Sequence, residues 1–487
     1  MDYLDPKKQK RHRINLWVGY ALIMIGIGIG SIILLWQAYG YSVQNGQVIQ
    51  DGMVFVASQP NPASIYINGK LYSSQTNTRL TIPAGVYNFK ITAPGYRPWV
   101  HVIPVQGGQV VHYDYPLLFP IKLNSKTIGS YSSAPTFATQ SPSQQYLVVG
   151  SPDSFTTFYM YDLTNPTTAP VTLNLPTTLL TPSSGSQSWK VIGWADDNQH
   201  LLLEHLYTGG QEFIELDTAN ATQSVNINHN FKINPTKVTY NNLKYNKFYL
   251  YDSTTKTLYS ASLTNPTPQQ VATGIVGFDS YQNSTLIYAT TDNAPSGDVV
   301  VYISNSGKTY FVRDLPLAQT YLLNMAGYNG DNYAVVGDSS ENFVYIYKDP
   351  VSQATSGQNA KILPFRAMQI NQPNYDSFSP TAQFIVVESG SNFAVYDIYN
   401  DNIYHYSVSS PIDAPQQHVS WMDGDRLYYI SGGKITVVDY DNTNRQLLNS
   451  ALPQYQVFFA PNFHSYFKLS GVAGGKVELK QTSLLAS

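Results

Sequence analysis

Downstream of residue 118, one short apolar run returns eight times, and this repetition narrows the possible folds more than any other feature of the 487-residue chain. The run begins at Tyr146, Leu201, Phe248, Leu286, Tyr333, Phe384, Leu427 and Tyr466, at a mean interval close to 46 residues, and closes on a small or polar residue. Turn residues precede many copies, as at Ser141-Pro142, Ala195-Asp196-Asp197-Asn198, Ser379-Pro380, Asp423-Gly424 and Pro461-Asn462. A following strand often ends on aspartate, as at Tyr161-Asp162, Leu216-Asp217, Tyr396-Asp397 and Val438-Asp439.

A period near 46 with about four strands in each unit is what a propeller blade requires. A lone four-stranded sheet cannot bury both faces, so the units must stack around an axis. The segments resemble the WD-like repeats of bacterial propellers, in which a Ser/Ala-Pro-Asp-Gly-Lys turn precedes the second strand. Here Ser141-Pro142-Ser143-Gln144, Ser379-Pro380-Thr381-Ala382 and Ala460-Pro461-Asn462 stand at that turn, and no Trp-Asp or Gly-His signature occurs. The resemblance implies an architecture and no subfamily. Eight blades are expected over residues 119–487, with seven as the fallback and two stacked β-domains as the competing arrangement. The last unit supplies only three strands (456–459, 465–469 and 476–481), and residues 121–127 are expected to donate the fourth and close the ring.

The N-terminus has a different grammar. Residues 1–13 hold Lys7, Lys8, Lys10, Arg11 and Arg13 against Asp2 and Asp5, and residues 14–36 then run without a charge. At about 1.5 Å rise per residue that stretch spans a bilayer core of about 30 Å. Trp17, Tyr20, Trp36 and Tyr39 lie near its ends, where amphipathic rings suit the headgroup level. The core is too long for a signal peptide and lacks a small-x-small site, so an uncleaved single-pass anchor is expected. The positive-inside rule then leaves the tail in the cytoplasm and everything after residue 36 outside. Gly26 and Gly30 are four apart, the spacing that lets two spans approach as a homodimer, although a lone lipid-facing helix fits the same residues.

Residues 37–52 read as a polar linker and 53–118 as a small β-domain. Asn68-Gly69 marks a tight hairpin, and Tyr87, Phe89 and Ile91 alternate with Asn88, Lys90 and Thr92. Six short strands are expected to form an antiparallel sandwich. Ser58-x-Pro60, Ala63 before Ile65-Tyr66-Ile67-Asn68-Gly69, Pro83-x-Gly85-x-Tyr87 and Pro94-Gly95-Tyr96 come in the order of a PEGA domain, which this segment resembles. Pro83-Ala84-Gly85-Val86 replaces the namesake Pro-Glu-Gly-Ala, and Asn-Gly replaces the usual Asp-Gly, without altering turn chemistry. The resemblance implies a microbial envelope context and an interaction role, with no catalytic residues to carry over.

Composition sharpens what remains. Charged residues make up 12% of the chain, about half the usual share, and the net charge of −3 excludes nucleic-acid binding by bulk basicity. Cysteine is absent, which excludes disulfides, thiolate metal sites and a cysteine nucleophile. No metalloprotease, nucleophile-elbow or phosphate-loop motif occurs. His200, Glu204 and His205 cluster, but residues 200 and 205 face opposite sides of a strand, so they read as strand-end polar residues. Asp439, Asp441 and Asn444 mimic the start of a calcium loop yet lack its glycine and glutamate, with Asn444 and Ser450 in their places, and read as a blade turn. Asn220-Ala-Thr222 and Asn283-Ser-Thr285 fit the glycan acceptor pattern, which chance supplies in so Asn- and Thr-rich a chain. The 39 tyrosines, among them Tyr159, Tyr161, Tyr249, Tyr251, Tyr428 and Tyr429, fit half-buried strands better than a ligand surface.

The residues therefore name no catalytic, cofactor or metal site. The reading is a membrane-anchored protein of the cell envelope that binds a surface polysaccharide, peptidoglycan or protein, and is not an enzyme. The alternative is a propeller-type carbohydrate hydrolase or lyase, which needs two carboxyls about 5–10 Å apart, one with a raised pKa. A third is a spacer or assembly scaffold.

Overall fold

A computed structural model describes residues 6–44, 47–282, 284–357, 361–409, 412 and 418–486. The chain divides into two compact units, the first running to Lys122 and the second Leu123–Leu485.

In the first unit, Pro6–Ala38 is one helix of 33 residues. Its segment Lys7–Trp36 is long and apolar enough to cross a membrane, and its apolar window is not buried against protein. A Cβ added at Gly26 or Gly30 would meet no atom within 4 Å. Where a linker is expected, the chain instead folds back at once. Asp51 N donates to Gly40 O at 2.6 Å, and Tyr41–Gln44 pairs antiparallel with the start of Gln47–Val56. That strand continues into the β-domain and pairs with Thr78–Pro83.

The β-domain has a second sheet in the order Lys70–Ser73, Ser64–Ile67, Gly85–Thr92, Trp99–Val105. Val54, Val56, Ile65, Leu80, Ile82, Phe89, Ile91, Trp99 and Ile103 fill the space between the sheets. Asn68 and Gly69 both adopt positive φ (49° and 81°), as the hairpin turn requires. The sandwich departs from the expected one in two ways. Lys70–Ser73 is an additional strand, and Val110–Tyr113 lies parallel to Gln47–Val56. The chain crosses closely over Gly52 to reach that position, and any Cβ there would collide with Val105 and with the carbonyl of Gln106.

The second unit is a β-propeller of antiparallel four-stranded sheets, eight among the described residues. All eight recurring runs fall in second strands, from Tyr146–Gly150 to Ser465–Gly471. These strands are buried on both faces, which is why they read as unbroken apolar runs. Apolar clusters each span two neighbouring sheets, so these sheets share their cores. The eighth sheet combines Phe458–Phe459, Ser465–Gly471 and Val477–Ser483 with Ser125–Tyr131, which closes the ring. The closing strand starts four residues later than expected, because Tyr131 is the residue that buries while Ile121 stays 65% exposed.

The turn before the second strand keeps its geometry despite its degenerate sequence. Ser141 N donates to Tyr146 O, and Ser141 Oγ accepts from Tyr146 N; Ser379 and Phe384 repeat both bonds. The recurrent aspartates act locally: Asp162, Asp217 and Asp397 accept from backbone N–H groups two or three residues on.

Candidate functional site

First strands of the second to sixth sheets touch one another in succession, which sets them nearest the axis. They are Gln187–Trp194, Lys237–Asn241, Ile275–Tyr281, Tyr321–Tyr328 and Tyr375–Phe378. Side-chain alternation decides what each offers. In the third sheet Val238 and Tyr240 are buried, which leaves Lys237 and Thr239 on the opposite face. In the fourth, a register shift between Ile275 and Gly277 re-aims the strand. Phe278 packs back on Tyr249 and Tyr251, and Asp279 takes the other side.

Charged groups from four sheets meet electrostatically along the axis. Lys237 and Asp279 act on each other, Lys190 acts on Lys237, and Asp279 acts on Asp376. Burial pushes the Asp376 carboxyl up to about 7, against a hydrogen bond from Asn324, and the charge of Asp279 pushes the same way. Burial raises Asp279 to about 6, with Lys237 opposing. Burial also lowers the Lys237 ammonium, which sits 4.6 Å from the centre of the Phe278 ring. Asp376 Oδ2 is inaccessible to water and has no hydrogen-bond partner. The result is a pair of interacting carboxyls, both raised by burial, with the lowered Lys237 ammonium acting on Asp279.

A cavity of about 190 Å³ is lined by Tyr375, His418, Ser420, Tyr428 and Gln456 among others. The rings of Tyr375 and His418 stack at 4.1 Å, nearly parallel. The buried Glu388 orients that imidazole, meeting His418 Nδ1 at 3.2 Å while accepting from Val419 N at 2.8 Å.

The residues singled out from sequence go elsewhere. His200 pairs with Asp197 (2.6 Å) and stacks on Tyr245, Glu204 pairs with Lys190 (3.3 Å), and His205 is fully buried between Glu212 (2.8 Å) and Gln187 (2.9 Å). Burial disfavours the Glu212 carboxylate, yet donors from His205, Thr181 and Asn226 hold it down to about 2. Among the described residues no group of three metal-binding side chains forms. Asp439 and Asp441 bond to Asn444 and Thr443 within their turn. Asn220 accepts from Thr222, and Asn283 lies outside the described residues. The tyrosine hydroxyls often join sheets, as where Tyr131 meets Tyr161 (2.8 Å) and Tyr251 donates to Ile275 O (2.7 Å).

Sequence reasoning passed over Asp279 and Asp376. A signal was present: Phe278-Asp279-Ser280-Tyr281 and Tyr375-Asp376-Ser377-Phe378 are the same aromatic-Asp-Ser-aromatic word. Each stands just before its sheet's recurring run, where the innermost strand belongs.

Comparison with known proteins adds to this geometry. Residues 51–118 are a PEGA domain. No curated protein matches the chain in sequence. Among solved structures, the chain is similar to the Myceliophteria thermophila Cps50 (Swd1) beta-propeller domain, with 10% identity, 73% of this chain and 99% of that one covered, and a TM-score of 0.40. Kluyveromyces lactis Hsv2 matches with 11% identity, 72% and 99% coverage and a TM-score of 0.40. Apo AztD from Citrobacter koseri matches with 12% identity, 80% and 96% coverage and a TM-score of 0.39. The PEGA domain and the propeller together suggest an extracytoplasmic binding or scaffold role.

Proposed function

We propose that the chain is a single-pass membrane protein of the cell envelope whose propeller binds a surface partner outside the cytoplasm. The partner is a polysaccharide, peptidoglycan or another surface protein. The observation behind this reading is the sequence of parts: a basic tail, a helix apolar enough to span a bilayer, a PEGA domain and then a propeller. The charged and polar side chains of the innermost strands are candidates for contacting that partner, since ligand sites fix their ligands through a few convergent polar groups. Full-length protein in lipid nanodiscs should be retained by a washed cell-envelope fraction, and no retention would sink the reading. Gly26 and Gly30 are proposed to pair two copies; their replacement by leucine should abolish cross-linked dimers in membranes.

One observation favours a second reading. Asp279 and Asp376 interact, and burial raises Asp376 above Asp279, the ordering expected of an acid beside a base or nucleophile in glycoside cleavage. On this reading Asp376 protonates the leaving oxygen and Asp279 acts as the carboxylate. Release of reducing ends from envelope polysaccharide, lost in both Asp279→Asn and Asp376→Asn, would establish it; retention of activity in either would exclude it.

A further inference from the structure

A second cavity lies between the fourth and fifth sheets and has a volume of about 200 Å³. Its floor is apolar, made by the buried Met325 and one face of Tyr281. The Tyr281 ring reaches its place because residue 327 is glycine: a Cβ there would lie 2.7 Å from the Tyr281 hydroxyl. Its walls are mostly uncharged donors and acceptors. Asn305 Nδ2 donates to Thr285 Oγ1 at 2.7 Å, which leaves one of its two N–H groups over. The Tyr281 hydroxyl donates to Asn332 Oδ1 at 3.3 Å, which leaves the exposed Asn332 Nδ2 as a donor. Asp349 Oδ1 accepts from the Asn332 backbone N–H at 2.7 Å, and the Asp349 side chain also meets Asp331 and acts on Lys348. Nearby, Lys348 and Asp331 neutralise each other at 2.8 Å.

An aromatic face beside two carboxamides and one carboxylate matches a ligand that is apolar on its ring faces and hydroxylated around its edge. Each ring hydroxyl both donates and accepts, as do the carboxamides. The Asp349 carboxylate in the lining disfavours an anionic ligand. We propose that this cleft is a subsite for one neutral hexose unit, stacked on Tyr281 and held by Asn305, Asn332 and Asp349. The proposal rests on the polysaccharide branch of the reading above.

Saturation-transfer NMR tests it, using full-length protein in nanodiscs and glucose, galactose, mannose and N-acetylglucosamine as separate probes. At least one sugar should receive saturation, and Asn332→Ala should weaken it about tenfold, the worth of one or two lost hydrogen bonds. Asn305→Ala should do likewise, with thermal unfolding unchanged in both variants. No transfer to any of the four, or transfer indifferent to both substitutions, would overturn the subsite. Retention on the washed envelope fraction separates the two failures. Wild-type retention with no hexose effect removes the cleft and spares the general reading, whereas hexose binding without retention keeps the cleft and removes the envelope partner.

Discussion

At the scale of single residues, Asp376 is the clearest case of a group placed against its own stability. Its carboxyl titrates near 7 in the fold, against about 3.9 in an unfolded chain. Between those values the folded state binds more protons, so stability falls as pH rises from about 4 to about 7 and stays low above. Asp279 and Asn324 face it, and Lys237 acts on Asp279. Asp376→Asn removes the penalty and should stabilise the protein by about 1–2 kcal/mol at pH 8 while changing little at pH 4.5. Thermal unfolding at the two pH values checks this, and a variant less stable at pH 8 would contradict it. Ala382 makes the opposite kind of concession. It sits at φ 57° where WD-like turns place glycine. Glycine relieves that conformation at some cost in unfolded-chain entropy, so Ala382→Gly should gain about 0.5–1 kcal/mol in denaturant titration.

At the scale of elements, the same physics explains what could be read from the sequence. Second strands such as Phe384–Ser389 are buried on both faces, so each is a continuous apolar run that a reader can count. First strands run from two residues in Ser420–Trp421 to eight in Gln187–Trp194, and their side chains alternate between packed and less buried positions. Apolar periodicity is therefore silent where the candidate site lies, and Asp279 and Asp376 were visible only as a repeated four-letter word. The cleft beside Tyr281 was illegible for another reason: its walls come from strands of two sheets and from loops, which only packing brings together. Sheets are further tied by single polar bonds between neighbours. Trp194 donates to Thr139 Oγ1 (3.1 Å), Ser280 to Tyr240 O (3.0 Å), and Gln140 to Phe459 O (2.7 Å). The last spans the closure, where Leu479 of the terminal strand is fully buried opposite Gly129. If closure bears the same load as the rest of the ring, Leu479→Ala should cost about 2–5 kcal/mol, like any buried leucine. A loss below about 1 kcal/mol in urea unfolding would mean the closing strand is only loosely held.

For the whole molecule, charge and composition divide at the helix. The first 13 residues hold five basic and two acidic side chains, and the remaining residues hold 23 basic against 29 acidic. A basic flank on one side of the uncharged stretch 14–36 biases insertion toward a cytoplasmic N-terminus, and the segment beyond it has no comparable cluster. Propeller and PEGA domain contain no cysteine, so an oxidising compartment would neither help nor harm them. Their stability comes from packing and ring closure, which are indifferent to redox state. Topology can therefore be tested without disturbing the fold, by fusing a reporter after residue 487. An alkaline phosphatase fusion, which folds only outside the cytoplasm, should be active, and a cytoplasmic fluorescent reporter at the same position should be dark. Reversing the tail by Lys7→Glu, Lys8→Glu, Lys10→Glu, Arg11→Glu and Arg13→Glu should lower the phosphatase signal and raise the fluorescent one, because a basic flank favours the cytoplasmic side. Fluorescence from the unaltered chain would put the propeller in the cytoplasm and remove the envelope reading with it.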